Sequence, residues 1–169
     1  MSECIQYRKF VVPCFMTLTM PTAPESQPTP GIDECHTKIR QQLLSLADLS
    51  HRLDTVGIDS ATQRMANEIG IFFASTSRQH HIDEENNIFP AWLASANDAL
   101  VTGARTLKQD HGWIEENLIE LGPQLSAIAS GNNWFAISEF QHGVVVFIEL
   151  YRKHMELEEL LMAHQQSNY

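Results

Sequence analysis

The stretch His80-His81-Ile82-Asp83-Glu84-Glu85-Asn86-Asn87-Ile88-Phe89-Pro90 constrains this chain more than any other. It places a histidine four residues ahead of a glutamate, one helical turn, so that both side chains can reach a single point from one helix face. Taken alone, such a pair is a weak signal. A second copy follows in His154-Met155-Glu156-Leu157-Glu158-Glu159-Leu160-Leu161. A single histidine precedes each copy at nearly equal distance: 44 residues separate His36 from His80, and 43 separate His111 from His154. Two similar halves, each supplying two histidines and a glutamate, form the pattern of a two-metal site in a four-helix bundle.

Apolar periodicity supplies the rods. Ile32, His36, Ile39, Leu43, Leu46 and Leu53 form one stripe at steps of three, four or seven, which predicts a first helix over about 32–56. Gly57 ends it, and Asp59 or Ser60 caps the next. The second helix is predicted over about 61–89, with Met65, Ile69, Phe73, Thr76, His80, Glu84 and Ile88 inward. The third spans about 98–129, with Leu100, Leu107, His111, Ile114, Leu118, Leu121 and Leu125 inward and a kink expected at Gly122-Pro123. The fourth spans about 133–165, turning Phe140, Phe147, Leu150, His154, Glu158 and Leu161 to the core. Short connections between long helices predict an all-α, antiparallel up-down-up-down bundle.

Counting along the rods sets the heights. His36 lies 21 residues before Gly57 and His80 lies 20 beyond Ser60. At about 1.5 Å per residue both stand roughly 30 Å from that turn. His111 and His154 are level by the same count from the turn at Ser130, and Glu84 and His111 are level across the turn at Asn97. Four histidines are therefore expected in one interior layer. Burying them with two carboxylates and no cation would cost several kcal/mol, which a divalent cation pair offsets. His81 and Glu85 continue the stripe Ala66, Gly70, Ala74, Ser77, a face of small residues that suggests helix contact. His80 and Glu84 are accordingly the expected ligands. His51, His142 and His164 fall away from the layer.

Composition removes other classes. A net charge of −10 leaves no basic stripe for nucleic acid, and no apolar run reaches the ~20 residues of a membrane span. Cys4, Cys14 and Cys35 show no metal-type spacing, and a reducing cytoplasm is the expected location. Cys35 reads as packing. Arg8-Lys9 before Phe10-Val11-Val12 looks superficially like a secretory signal, but Pro13 interrupts a short apolar core and no Ala-x-Ala-like site follows. Residues 1–30, with Pro21, Pro24, Pro28 and Pro30, read as a poorly ordered lead-in to a domain over 31–166.

Imidazole and carboxylate without thiolate suit iron, manganese or zinc, and a histidine-rich shell with open positions favours iron. Two bridging glutamates and four imidazoles leave room for an oxo or hydroxo bridge and a small diatomic ligand. These residues resemble the hemerythrin-like HHE cation-binding domains. The resemblance rests on Asp33-Glu34-Cys35-His36-x-x-Ile39-Arg40, on His80-x-x-x-Glu84-Glu85-x-x-Ile88-Phe89-Pro90, on Asp110-His111 and on Tyr151-x-x-His154-x-x-x-Glu158-Glu159.

It implies a non-haem di-iron site with ligands His36, His80, Glu84, His111, His154 and Glu158. Oxygen-carrying hemerythrins have a second third-helix histidine where this chain has Glu115, which becomes an extra ligand or a supporting residue, as does Tyr151. They also use His-x-x-x-x-Asp on the last helix, where Glu159 has the longer spacing. The set looks like the four-histidine, two-glutamate variant tied to iron sensing, nitric oxide response and iron–sulfur repair. The expected function is sensing, storage or carriage of iron, oxygen or nitric oxide. The alternative is a redox enzyme acting on nitric oxide or peroxide, or repairing iron–sulfur clusters. No flavin or iron–sulfur motif accompanies the site, so turnover would need an external electron donor, and binding is the favoured expectation.

Overall fold

The computed structural model describes residues 31–166, all of whose regular structure is helical. The expectation of a poorly ordered lead-in over 1–30 lies outside the described residues. Helix α1 spans Ile32–Thr55, α2 Ser60–Phe72, α3 Arg78–Asn87, α4 Phe89–Leu93, α5 Asp98–Ala129 and α6 Ile137–Gln166. Helix α1 packs on α2 and α6, and α5 packs on α2 and α6, closing a ring of four rods.

Local chemistry sets the ends. Gly57 follows α1 at φ +81°, a left-handed conformation that a side chain would strain. The Asp59 carboxylate then accepts from the backbone N–H groups of Ala61 and Thr62, while Thr62 Oγ1 accepts from the Asp59 N–H, forming a capping box. Helix α6 begins at Ile137, four residues later than periodicity suggested, because the chain runs irregularly over 132–136 after the turn at Ser130 and Gly131. Helix α5 runs unbroken through Pro123. At Gly103 the rods come so close that a Cβ would lie 2.3 Å from Leu161 Cδ1.

The second rod departs most from expectation. A single helix over 61–89 was expected; instead a π turn, Phe73–Ser77, separates α2 from α3, and the helix breaks at Ile88 before Pro90. A π turn closes i→i+5 and so holds one more residue than an α turn, advancing the inward direction along the sequence. Thr76, expected inside, is exposed, and Ser77 is buried in its place. Ser77 Oγ pairs with Tyr151 Oη at 2.6 Å, tying the wide turn to α6.

Apolar burial falls in two bodies. The larger gathers Leu46, Ile69, Phe73, Ile114, Phe147 and Tyr151 among others. The smaller gathers Phe89, Trp92, Leu100, Ala104, Leu107 and Leu161. Phe73 joins the π turn to the larger body, with ring centroids 5.0 Å from Phe147 and 5.4 Å from Tyr151. Truncating a fully buried phenylalanine removes transfer energy and leaves a cavity, so Phe73→Ala should cost about 3–5 kcal/mol. A urea denaturation midpoint of the metal-free protein checks this.

Candidate metal centre

Between the two apolar bodies lies a polar layer. His36 comes from α1, His80, His81 and Glu84 from α3, His111 from α5, and His154 and Glu158 from α6. All seven are buried, Glu158 completely. The six side chains expected together are together. Ring centroids of His36 and His80 lie 5.1 Å apart, and those of His111 and His154 lie 4.8 Å apart.

His81 is the residue that sequence reasoning left out. Its ring stacks on His111 at 4.1 Å and stands 5.4 Å from His154. The small-residue stripe that suggested helix contact stops being a straight face at the π turn, so both members of the His80-His81 pair reach the interior. The adjacent histidines were the available signal, but α-helical counting could admit only one of them. Glu115 is not brought to the cluster; it pairs with Arg78 at 3.0 Å on a half-exposed face. Tyr151 stays beside the cluster, its ring 5.7 Å from that of His81. Cys35 is buried beside the layer.

The potential ligand atoms form two groups, each within 4.8 Å: His81, His111 and His154 in one, and His36, His80, Glu84 and Glu158 in the other. Glu84 spans both. Its Oε1 is 2.7 Å from His80 Nε2 and its Oε2 is 3.1 Å from His111 Nε2. Glu158 Oε2 lies 3.0 Å from His36 Nε2 and 3.9 Å from His154 Nε2. Yet Nε2 of His80, His81 and His111, both nitrogens of His154, both oxygens of Glu84 and Oε1 of Glu158 are buried without a hydrogen-bond partner. The Glu84 contacts are close but misaligned for hydrogen bonds. Lone pairs that converge on shared points while avoiding one another fit cations, because uncompensated buried polar atoms are otherwise expensive.

The outer nitrogens have different partners. His111 Nδ1 lies 3.0 Å from Glu85 Oε1, and His36 Nδ1 lies 3.0 Å from Glu159 Oε1. Glu159, despite its five-residue spacing from His154, thus serves the neighbouring rod.

Electrostatics divides the histidines. For His36 and His80, burial alone would lower the pKa, but close polar neighbours outweigh it: Glu158 and Glu159 raise His36, while Cys35 and Glu84 lift His80 to about 10. Burial would likewise raise Glu84, and its contacts with His111 and His80 instead hold it well below the carboxylate range. Burial pushes Glu158 up, reinforced by the Glu84 charge. Burial and neighbouring His111 push His154 down to about 3, and His81 well below its ordinary value.

A helical bundle with an interior layer of imidazoles and carboxylates is the class defined by this geometry. The hemerythrin HHE cation binding domain matches residues 27–164, and the chain belongs to that family. It is also 27% identical, over 136 residues, to an uncharacterized protein of Haemophilus influenzae, covering 80% of this chain and 77% of that one. No solved structure matches. Among the described residues, no helix is long and apolar enough to cross a membrane.

An imidazole neutral in the folded protein but protonated once unfolded makes the unfolded chain bind more protons, so its contribution to stability is lost on acidification. His154, at about 3 against an ordinary 6.5, therefore destabilises the metal-free protein progressively as pH falls from about 6.5 towards 3, and His81 acts in the same direction. His80 has the opposite sign: its contribution is complete below 6.5 and is lost as pH rises through about 10. Thermal unfolding of chelator-treated protein should show a midpoint that falls on both sides of the neutral range.

Proposed function

We propose that the protein binds two iron ions in this layer and uses them to take up a small diatomic ligand, oxygen or nitric oxide, as a sensor or carrier. The reading places the rods in an antiparallel up-down-up-down path, with one domain over 31–166 and a cytoplasmic location. The observation that carries it is the convergence of buried, unpartnered nitrogen and oxygen atoms in two adjacent groups, with Glu84 in contact with a histidine of each. His36, His80, Glu84 and Glu158 would hold one ion, and His81, His111 and His154 the other, with Glu84 and Glu158 reaching towards both. Bound there, the irons would supply reversible ligand binding and one-electron chemistry.

The chain's own residues do the rest. Phe89 stacks on the His111 ring at 5.5 Å and closes the layer on the side of the smaller apolar body. Phe73 and Tyr151 close it on the other. A groove of about 550 Å³, lined by Cys35, Ala74, Thr76, Arg78, Gln79 and His80, leads from the surface to the His80 edge of the layer. Its volume is ample for a diatomic molecule.

Elemental analysis of freshly purified protein should find about two irons per chain, and His80→Ala or Glu158→Ala should lose them. His81→Ala should drop the content to about one, and full retention would remove His81 from the ligand set. Iron-free protein whose stability ignores chelator would sink the reading altogether. Rapid mixing of the reduced protein with oxygen or nitric oxide should give a stable spectrum at stoichiometric ligand. Repeated consumption of ligand with an external electron donor would instead identify a redox enzyme.

A further inference from the structure

Both copies of the repeated motif end in two adjacent glutamates, and only the first of each pair faces the interior layer. The second, Glu85 in one copy and Glu159 in the other, points to the neighbouring rod. Glu85 on α3 accepts from His111 on α5 at 3.0 Å, and Glu159 on α6 accepts from His36 on α1 at 3.0 Å. A cation holds each carboxylate from outside. Lys108 Nζ lies 2.9 Å from Glu85 Oε2, and Arg40 Nη2 lies 2.5 Å from Glu159 Oε1. Lys108 stands three residues before His111 and Arg40 four after His36, one turn along the same helix. The same three-part arrangement (histidine and cation on one rod, carboxylate from the next) therefore occurs twice.

From this geometry we infer that Glu85 and Glu159 are positioning residues that set the strength with which His111 and His36 donate to the cations. The inference rests on the two-ion reading above. A carboxylate at Nδ1 keeps the proton there, which leaves the Nε2 lone pair directed inward and fixes the ring plane. It also polarises the N–H bond, so that Nε2 becomes more electron-rich and favours the more oxidised ions. Lys108 and Arg40 draw charge from the carboxylate and moderate that effect. Neither nitrogen of His154 has a hydrogen-bond partner, so the device serves particular imidazoles rather than all of them.

The test uses the full, iron-loaded chain and three readouts: metal content and affinity, thermal midpoint, and reduction potential by mediated spectroelectrochemistry. Glu85→Gln and Glu159→Gln should remain folded, bind iron about 10- to 100-fold more weakly, and titrate at a higher potential than the parent. Lys108→Met and Arg40→Met, changes to exposed side chains, should titrate at a lower potential. Glu115→Gln removes a nearby carboxylate that pairs with Arg78 rather than with a histidine, and controls for charge alone. It should shift the potential less than either relay variant. Parent-like affinity and potential in the glutamine variants, shifts of one sign in both sets, or an equal shift in Glu115→Gln would overturn the inference while leaving the ions in place. A parent chain without iron would overturn the two-ion reading and this inference with it.

Discussion

The structure depends on burying carboxylates and imidazoles at one level of an apolar bundle. Glu84 and Glu158 are withdrawn almost entirely from water, and no lysine or arginine reaches them among the described residues. An isolated buried carboxylate is strongly disfavoured, so the layer requires compensation from within. In the protein alone the histidines provide part of it, and two of them are held above their ordinary pKa as a result. The remaining unpartnered atoms are those a cation pair would satisfy. The apolar bodies on either side exclude the water that would otherwise solvate them.

Sequence repetition and spatial arrangement agree here. The two motif copies lie on α3 and α6, rods that are not neighbours in the ring, and each sends its first glutamate inward and its second sideways. One short sequence thereby addresses two tasks at two radii of the bundle. The outer carboxylates and their cations are partly exposed, so the interior layer is coupled to charged groups at the surface without a break in packing.

Most of this was legible in the chain. The stripes of α1 and α5 were legible in outline, since nothing interrupts their 3.6-residue period, although Leu49, Ala104 and Ile128 are buried beside the expected positions, and the counts from the turns put His36, His80, His111 and His154 at one height. What escaped were places where local geometry leaves that period. His81 and Ser77 turn inward and Thr76 outward because of the π turn, whose closure by one extra residue leaves no composition signal in Phe73-Ala74-Ser75-Thr76-Ser77. Glu115 stayed open as a ligand because spacing alone cannot see the Arg78 that holds it aside. The roles of Glu85 and Glu159 depended on contacts across rods, which no pattern within one helix contains.

The wide turn also bears on how such a chain can change. One additional residue within a helix leaves the rod on both sides in place and alters only which positions face the axis. Where it precedes two adjacent histidines, it decides whether the interior receives one imidazole or a pair. The set of nitrogen donors in a bundle of this kind is thus adjustable by a length change of a single residue, upstream of His80 and His81 and without replacing either of them. Insertion, as well as substitution, can therefore alter the chemistry such a bundle supports.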